Sequence, residues 1–289
     1  MDEGSYAFEI GCFHCIAVSD GSYDYDPVSL FSTLERDEIL ERLATYPLME
    51  GKIRSPYTFL YVDTGKNKVM ADMGAGNLGP NTGKLVENLK RAGVDPQDVD
   101  TVIITHAHPD HVGGTLDEKG DPHYPNARYY IRKEEFDFWF DDKAYQQVME
   151  HLSAIFSPEV FFKVARGQLG PVRDRIEFVT EEKEIFPGVR IHDTPGHTPG
   201  HMAVSFSSGG EHLWFVGDAL VFPFMIGEPD TVPRFDILAE MASETRKDLR
   251  IRLCAENTLV VAQHFPPFPS LGRVVRKGND WNWEPVIIS

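Results

Sequence analysis

Cysteine is scarce in this chain, with only Cys12, Cys15 and Cys254 among 289 residues. So sparse and odd a set excludes a disulfide framework and fits a reducing compartment, so a cytoplasmic location is expected. Positive charge is also in short supply: 28 Lys and Arg stand against 45 Asp and Glu, a net charge of −17. A surface of that sign repels a phosphate backbone, which argues against nucleic acid as a partner. No apolar run is long enough to span a bilayer, and the opening Met1-Asp2-Glu3-Gly4-Ser5 lacks the basic-then-apolar pattern of a secretory signal. Neither membrane insertion nor export is therefore expected. Long low-complexity linkers and internal repeats are missing too, so a single domain over residues 1–289 is expected.

What is present is a succession of short apolar segments separated by turn residues. Residues 57–63 and 68–73 read as a hairpin around Thr64-Gly65-Lys66-Asn67. Residues 82–92 carry Leu85, Val86 and Leu89 at helical spacing and are closed by Gly93. The β-branched strand 101–105 follows, which completes a strand–helix–strand unit. Further strands are expected at 127–132, 175–180, 189–193, 202–206, 212–216 and 259–262. Helices are expected at 33–45, with Ser32 and Glu35 as a capping box, and at 237–253. Strands early and late with helices between them predict an α+β fold in which two sheets are sandwiched by helices.

Two segments stand apart. Residues 133–167 are helical in pattern and rich in aromatics, among them Phe136, Trp139, Phe156, Phe161 and Phe162. They form either an extra helical layer on the core or a lid or dimer surface, so a homodimer is one expected assembly. Cys12-Phe13-His14-Cys15 has redox-like spacing but no second cluster to complete a metal site, and reads as thiols near a first strand.

The chemistry lies in Thr105-His106-Ala107-His108-Pro109-Asp110-His111, directly after a predicted strand. Three imidazoles and a carboxylate in so few residues have no packing role and suit zinc, iron, manganese or cobalt. Ala107 lets His106 and His108 aim the same way, and Pro109 stiffens the turn that presents Asp110 and His111 nearby. Three more predicted strands end on ligand-type residues: His197 in Asp193-Thr194-Pro195-Gly196-His197, Asp218 after Gly217, and His264 after Gln263. Each alone is weak. Four strand ends of this kind are not.

These residues, with their intact HxHxDH motif, resemble the metallo-β-lactamase superfamily over nearly the whole chain. The resemblance implies a four-layer αββα sandwich and two divalent ions, zinc first among the candidates. It implies that His106, His108 and His197 hold one ion, that Asp110, His111 and His264 hold the other, and that Asp218 bridges them. His201 and Asp72 would stand behind the ligands and orient them. Within the superfamily the chain is most similar to the methyl parathion hydrolase group, and next to lactone-cleaving enzymes. The matching residues include Asp72-Met73-Gly74-Ala75-Gly76, Tyr124-Pro125-Asn126-Ala127, Phe138-Trp139, His197-Thr198-Pro199-Gly200-His201 and Ala262-Gln263-His264-Phe265-Pro266. Many acyl-homoserine lactonases carry a tyrosine three residues beyond the bridging aspartate, where this chain has Val221.

The expected activity is hydrolysis of an ester, lactone or phosphotriester bond. Two divalent ions about 3.5–4 Å apart lower the pKa of a shared water towards ~7, so hydroxide is available without a dedicated base. Asp110 is the candidate for passing a proton to the leaving oxygen. Trp139, Phe222, Phe224, Phe265 and Phe268 are expected to wall the pocket, which favours a small, neutral, apolar substrate. The rival from another class is a redox member of the fold, such as a mononuclear-iron persulfide dioxygenase. The di-iron redox pattern HxExDH is not met, because His108 stands where its glutamate would be.

Overall fold

The computed structural model describes residues 4–31, 34–152 and 158–286. Ser32, Thr33 and Phe156, which figured in the expectations above, lie outside them. Among the described residues the strands form an eight-stranded and a seven-stranded sheet. The first contains β1 (Ser5–Ile10), β2 (Phe13–Tyr25), β3 (Leu48–Met49), β4 (Lys52–Asp63), β5 (Lys68–Ala71), β6 (Thr101–Ile103), β7 (Arg128–Arg132) and β8 (Ile176–Val179). The second contains β9 (Lys183–Phe186), β10 (Val189–Asp193), β11 (Met202–Ser208), β12 (Glu211–Phe215), β13 (Leu259–Val261), β14 (Leu271–Lys277) and β15 (Asp280–Pro285). The helices are α1 (Pro27–Leu30), α2 (Arg36–Arg42), α3 (Leu85–Arg91), α4 (Pro109–Val112), α5 (Lys133–Phe140), α6 (Asp142–Leu152), α7 (Pro158–Leu169) and α8 (Ala239–Ala255). None is long and apolar enough to cross a membrane.

Strand periodicity explains the layering. On the second sheet Leu213, Phe215, Val204 and Phe206 join a core that also contains Ile16, Phe59 and Tyr61 of the first sheet. Their sequence neighbours Ala203 and Trp214 point the other way, into a second cluster with Leu249 and Leu253 of α8. Alternate residues thus serve opposite faces. With α3 packed on β2 and α8 on the second sheet, the order is helix, sheet, sheet, helix. This is the α+β sandwich expected from the sequence.

Direction matters more to function than layering. Strands β5, β6, β7 and β8 are mutually parallel, and β12 pairs parallel with β13. Strand β10 points the same way as β12, since β11 runs antiparallel to both. The C-terminal ends of β5, β6 and β7 therefore gather at one edge, as do those of β10, β12 and β13. Strand β4 is antiparallel to β5, and β2 to β4, so the start of β4 and the end of β2 lie at the first sheet's gathered edge.

A bulge in β2 shapes that edge. Ser19 faces Thr58 but Gly21 faces Tyr57, which leaves Asp20 as an extra residue. Before the bulge Ile16 and Val18 oppose Tyr61 and Phe59; after it Tyr23 and Tyr25 oppose Ser55 and Ile53. The parity of β2 has switched, so even-numbered and then odd-numbered residues occupy one face. Gly21 is needed there: its φ is +105°, and a Cβ would come within 1.8 Å of the Asn81 carbonyl oxygen.

Some boundaries differ from expectation for local reasons. Strand β5 ends at Ala71 because Asp72 adopts the left-handed φ of +58°. Helix α2 ends at Arg42 rather than at 45, and its described start carries a capping box of Glu35 with Glu38. The hairpins β1–β2 and β14–β15 were not expected as such; β15 alternates Trp281 and Trp283 with polar residues, and β14 is rich in Arg and Lys.

Candidate metal centre

Each chemically active side chain sits just beyond a strand end of that shared direction. Asp72 follows β5, His106 follows β6, His197 follows β10, Asp218 follows β12 and His264 follows β13. Helix α4 is a single turn opened by Pro109, and it presents Asp110 and His111 beside His108, its N-cap. The result is two clusters with a common member. His106, His108, His197 and Asp218 form one, and Asp110, His111, Asp218 and His264 the other. Within each, the potential ligand atoms lie within 4.8 Å of one another.

Asp218 divides its carboxylate between them. Its Oδ2 lies 3.3 Å from His197 Nε2, while its Oδ1 lies 3.3 Å from His111 Nε2 and 3.2 Å from His264 Nε2. Asp110 Oδ2 stands 3.5 Å from His264 Nε2, and His108 Nδ1 stands 2.9 Å from His197 Nε2.

The far side of each ring fixes which nitrogen is free. Thr105 donates through its backbone N–H to Asp72 Oδ1 and through its hydroxyl to Oδ2, both at 2.7 Å. With its one proton so used, Thr105 Oγ1 accepts from His106 Nδ1 at 3.0 Å. His111 Nδ1 donates to Asp72 Oδ2 at 2.7 Å, and His197 Nδ1 donates to Asp236 Oδ1 at 2.9 Å. Asp236 in turn accepts from the buried Arg246 guanidinium at 2.6 Å. His264 Nδ1 contacts Ser55 Oγ at 3.3 Å. The lone pair of Nε2 is thereby turned inward on His106, His111 and His197, and on His106 and His111 that buried atom has no hydrogen-bond partner. Convergent, unpartnered imidazole lone pairs around a shared carboxylate are a metal-ion donor set, and the residues present fit one.

Electrostatics agree with that fit. Burial, reinforced by neighbouring imidazoles, holds His106 and His108 well below the usual histidine range, so both are neutral. Burial disfavours charge on His111 as well, but the carboxylates of Asp218, Asp110 and Asp72 outweigh it and push its pKa well up. A cation is what this pocket of carboxylates favours.

His201 is occupied otherwise. Its Nε2 accepts the Asp218 backbone N–H at 3.1 Å and its Nδ1 faces Thr194 Oγ1 at 2.8 Å, so it braces the shared aspartate. Sequence reasoning missed Asp236, Ser55 and Glu135. Glu135, fully buried in α5, accepts from Ala107 N, Trp139 Nε1, Thr198 Oγ1 and Gly200 N at 2.6–3.1 Å. It thus ties the loop of His106 and His108 to the loop of His197. Gly200 permits the approach, since a Cβ there would lie 2.2 Å from the Glu135 backbone nitrogen. No motif marks these residues; a lone acid in an amphipathic helix reads as surface.

Residues 54–255 match the family model of the metallo-beta-lactamase superfamily. The chain belongs to that superfamily. Among its curated relatives are N-acyl homoserine lactonases from Bacillus sp, 28% identical over 194 residues, and from Bacillus cereus, 29% identical over 121 residues. The first match covers 62% of this chain and 64% of the relative; the second covers 42% and 38%. The chain thus spans less than two thirds of the length of either. Among solved structures it is similar to AbOPH, a hydrolase in the beta lactamase superfamily, at 26% identity and a TM-score of 0.88 over 99% of this chain and 98% of that one. It shares its fold with AidC, a dizinc quorum-quenching lactonase, at 24% identity and a TM-score of 0.86, again over 99% and 98%.

In this superfamily member a cavity of about 220 Å³ opens onto both clusters. Asp110, His108, His197, Asp218 and His264 form its floor, and Tyr25, Tyr57, Phe161, Val221, Phe222 and Phe235 are among its walls. Of the five aromatics expected there, only Phe222 lines it. Trp139 is fully buried behind the floor, edge-on to His108 at 5.4 Å. Phe265 is buried against Trp283 at 4.9 Å, in the cluster beneath α8. Phe224 borders a separate hollow with Trp281 and Trp283, and the half-buried Phe268 does not line the cavity. Core packing claimed Trp139 and Phe265, as it claims most aromatics. Helix α7 supplies Val160 and Phe161 to the wall, so the aromatic segment both packs on the core and reaches the site.

Proposed function

We propose that this chain is a binuclear metal-dependent hydrolase of neutral, apolar esters or lactones, with phosphotriesters as a second substrate class. The observation that carries the proposal is the cavity: it opens on two clusters joined by Asp218, and no Lys or Arg occurs among the described residues that line it. An anionic substituent held against the apolar walls, away from the ions, would enter without a side-chain partner, at a cost of several kcal/mol. The lactonase relatives support an ester-like bond at carbon, and the AbOPH neighbour supports hydrolysis. Phosphotriesters enter because a two-metal site also serves attack at phosphorus.

His106, His108 and His197 would hold one ion and Asp110, His111 and His264 the other, with Asp218 between them; zinc is the first candidate. Such a pair supplies hydroxide at neutral pH and polarises the oxygen under attack. The protein's own part is orientation and proton traffic. Asp72, Asp236 and Ser55 hold the imidazoles in register. Asp110, whose side chain is 13% exposed towards the cavity, carries a proton to the departing oxygen. Phe161, Phe222 and Phe235 exclude water and select apolar groups.

A panel of aryl esters, aliphatic lactones, acyl-homoserine lactones, methyl parathion, a cephalosporin and a glutathione thioester tests this, with metal-depleted protein as control. Neutral substrates should exceed the carboxylate-bearing ones in kcat/KM by about 100-fold or more. Preference for the cephalosporin or thioester would overturn the substrate class. Oxygen consumption with a persulfide would move the chain out of the hydrolases.

A further inference from the structure

Hydrolysis at such a site places negative charge on a substrate oxygen, and a donor aimed at that oxygen accelerates it. Val221 has no proton to give, and Ser55 is engaged with His264 Nδ1. The switch in parity at the Asp20 bulge puts Tyr25 of β2 on the same face as Tyr57 of β4, and both line the cavity. Their hydroxyls meet at 2.5 Å. Two phenols carry two protons, ordinarily retained at neutral pH, and the bond between them uses one. Whichever hydroxyl donates across the pair, the other still has a proton, and neither makes a second hydrogen bond to any described residue.

The rings are held in place. Tyr57 sits edge-on to His264 with centroids 5.1 Å apart, and Tyr23 lies parallel to it at 6.4 Å. Tyr25 is wedged between Tyr23 at 4.8 Å and Phe235 at 6.1 Å. A donor fixed in this way needs no reorganisation when charge develops beside it.

We propose that the Tyr25–Tyr57 hydroxyl pair is a catalytic hydrogen-bond donor, giving its spare proton-bearing O–H to the acyl or phosphoryl oxygen of the substrate. This rests on the hydrolase reading above and adds to it a specificity: substrates need an acceptor oxygen on the Tyr25–Tyr57 side of the cavity. The pair acts as one unit, so its two members should not contribute independently.

The test compares Tyr25→Phe, Tyr57→Phe and the double variant, all of which keep the ring packing. The double variant should lose about 100-fold in kcat with KM changed by less than about threefold, and the single losses should multiply to more than the double loss. Elemental analysis should find the wild-type metal content in all three. A readout independent of turnover is calorimetric binding of a neutral lactam, whose carbonyl accepts the same hydrogen bond but resists hydrolysis. Its affinity should fall by about tenfold in the double variant. Unchanged kcat and lactam affinity would overturn the proposal, as would a loss of activity that merely follows lost metal. A wild type that cleaves nothing in the substrate panel would sink the hydrolase reading alone. The lactam would still decide the donor role: weaker binding by the double variant supports it, and equal binding or none by the wild type overturns it.

Discussion

Asp218 joins the two clusters, because its two oxygens answer to different imidazoles. Replacing it with alanine removes the carboxylate common to both clusters, so Asp218→Ala should abolish activity and reduce bound metal at both positions. His201→Ala should act differently. It leaves the Asp218 N–H without its acceptor, which costs about 1–3 kcal/mol and lowers the melting temperature, while both ions are retained. Thermal melts and elemental analysis of the two variants separate these roles, and equal metal loss would show that His201 is a ligand. The ligand-type residues were legible in sequence because three imidazoles and an acid crowd into residues 106–111 and three further predicted strands end on His197, Asp218 and His264. Their supports were not. Asp236 and Glu135 are distant in sequence from the rings and loops they hold, and nothing local distinguishes them from solvated acids.

Elements decide which side chains reach the cavity. Tyr25 and Tyr57 arrive there through strand direction and one bulge, neither of which a residue pattern reveals. Trp139 and Phe265 show the converse: both were expected in the wall, Phe265 because it follows His264, yet packing turned both into core. Phe161, by contrast, reaches His108 at 5.0 Å from α7. Phe161→Ala should therefore enlarge the pocket and shift kcat/KM towards bulkier acyl groups, at a stability cost of about 3–5 kcal/mol and with metal content intact. A series of esters of increasing chain length checks it.

The β2 bulge has its own signature. Asp20 is buried and accepts from the N–H groups of Ala75 and Leu85 at 2.9 and 2.8 Å. Burial nonetheless lifts its carboxyl from 3.8 to about 6, against those hydrogen bonds. The folded protein then keeps a proton that the unfolded chain has released. This contribution to stability is complete below about pH 4 and is lost as pH rises through about 6, a loss of about 3 kcal/mol by pH 7. An Asp20→Asn variant has no such titration. Urea unfolding at pH 4 and pH 7 should show the wild type losing stability relative to the variant, and a constant difference would contradict the shift.

On the scale of the whole molecule, two sheets direct their strand ends to one edge, and the chain delivers seven candidate ligands there from four separate segments. The strong excess of acidic residues is compatible with such a centre, since the ions would neutralise charge that the fold concentrates at Asp72, Asp110 and Asp218. The aromatic segment 133–167, whose strand-flanked position was legible but whose role was not, supplies Glu135 beneath the centre and Phe161 above it. Titrating metal-depleted protein with zinc, while following both bound metal and ester hydrolysis, tests the central claim most directly. The account predicts that activity rises until two equivalents per chain are bound. Full activity at one equivalent would contradict it.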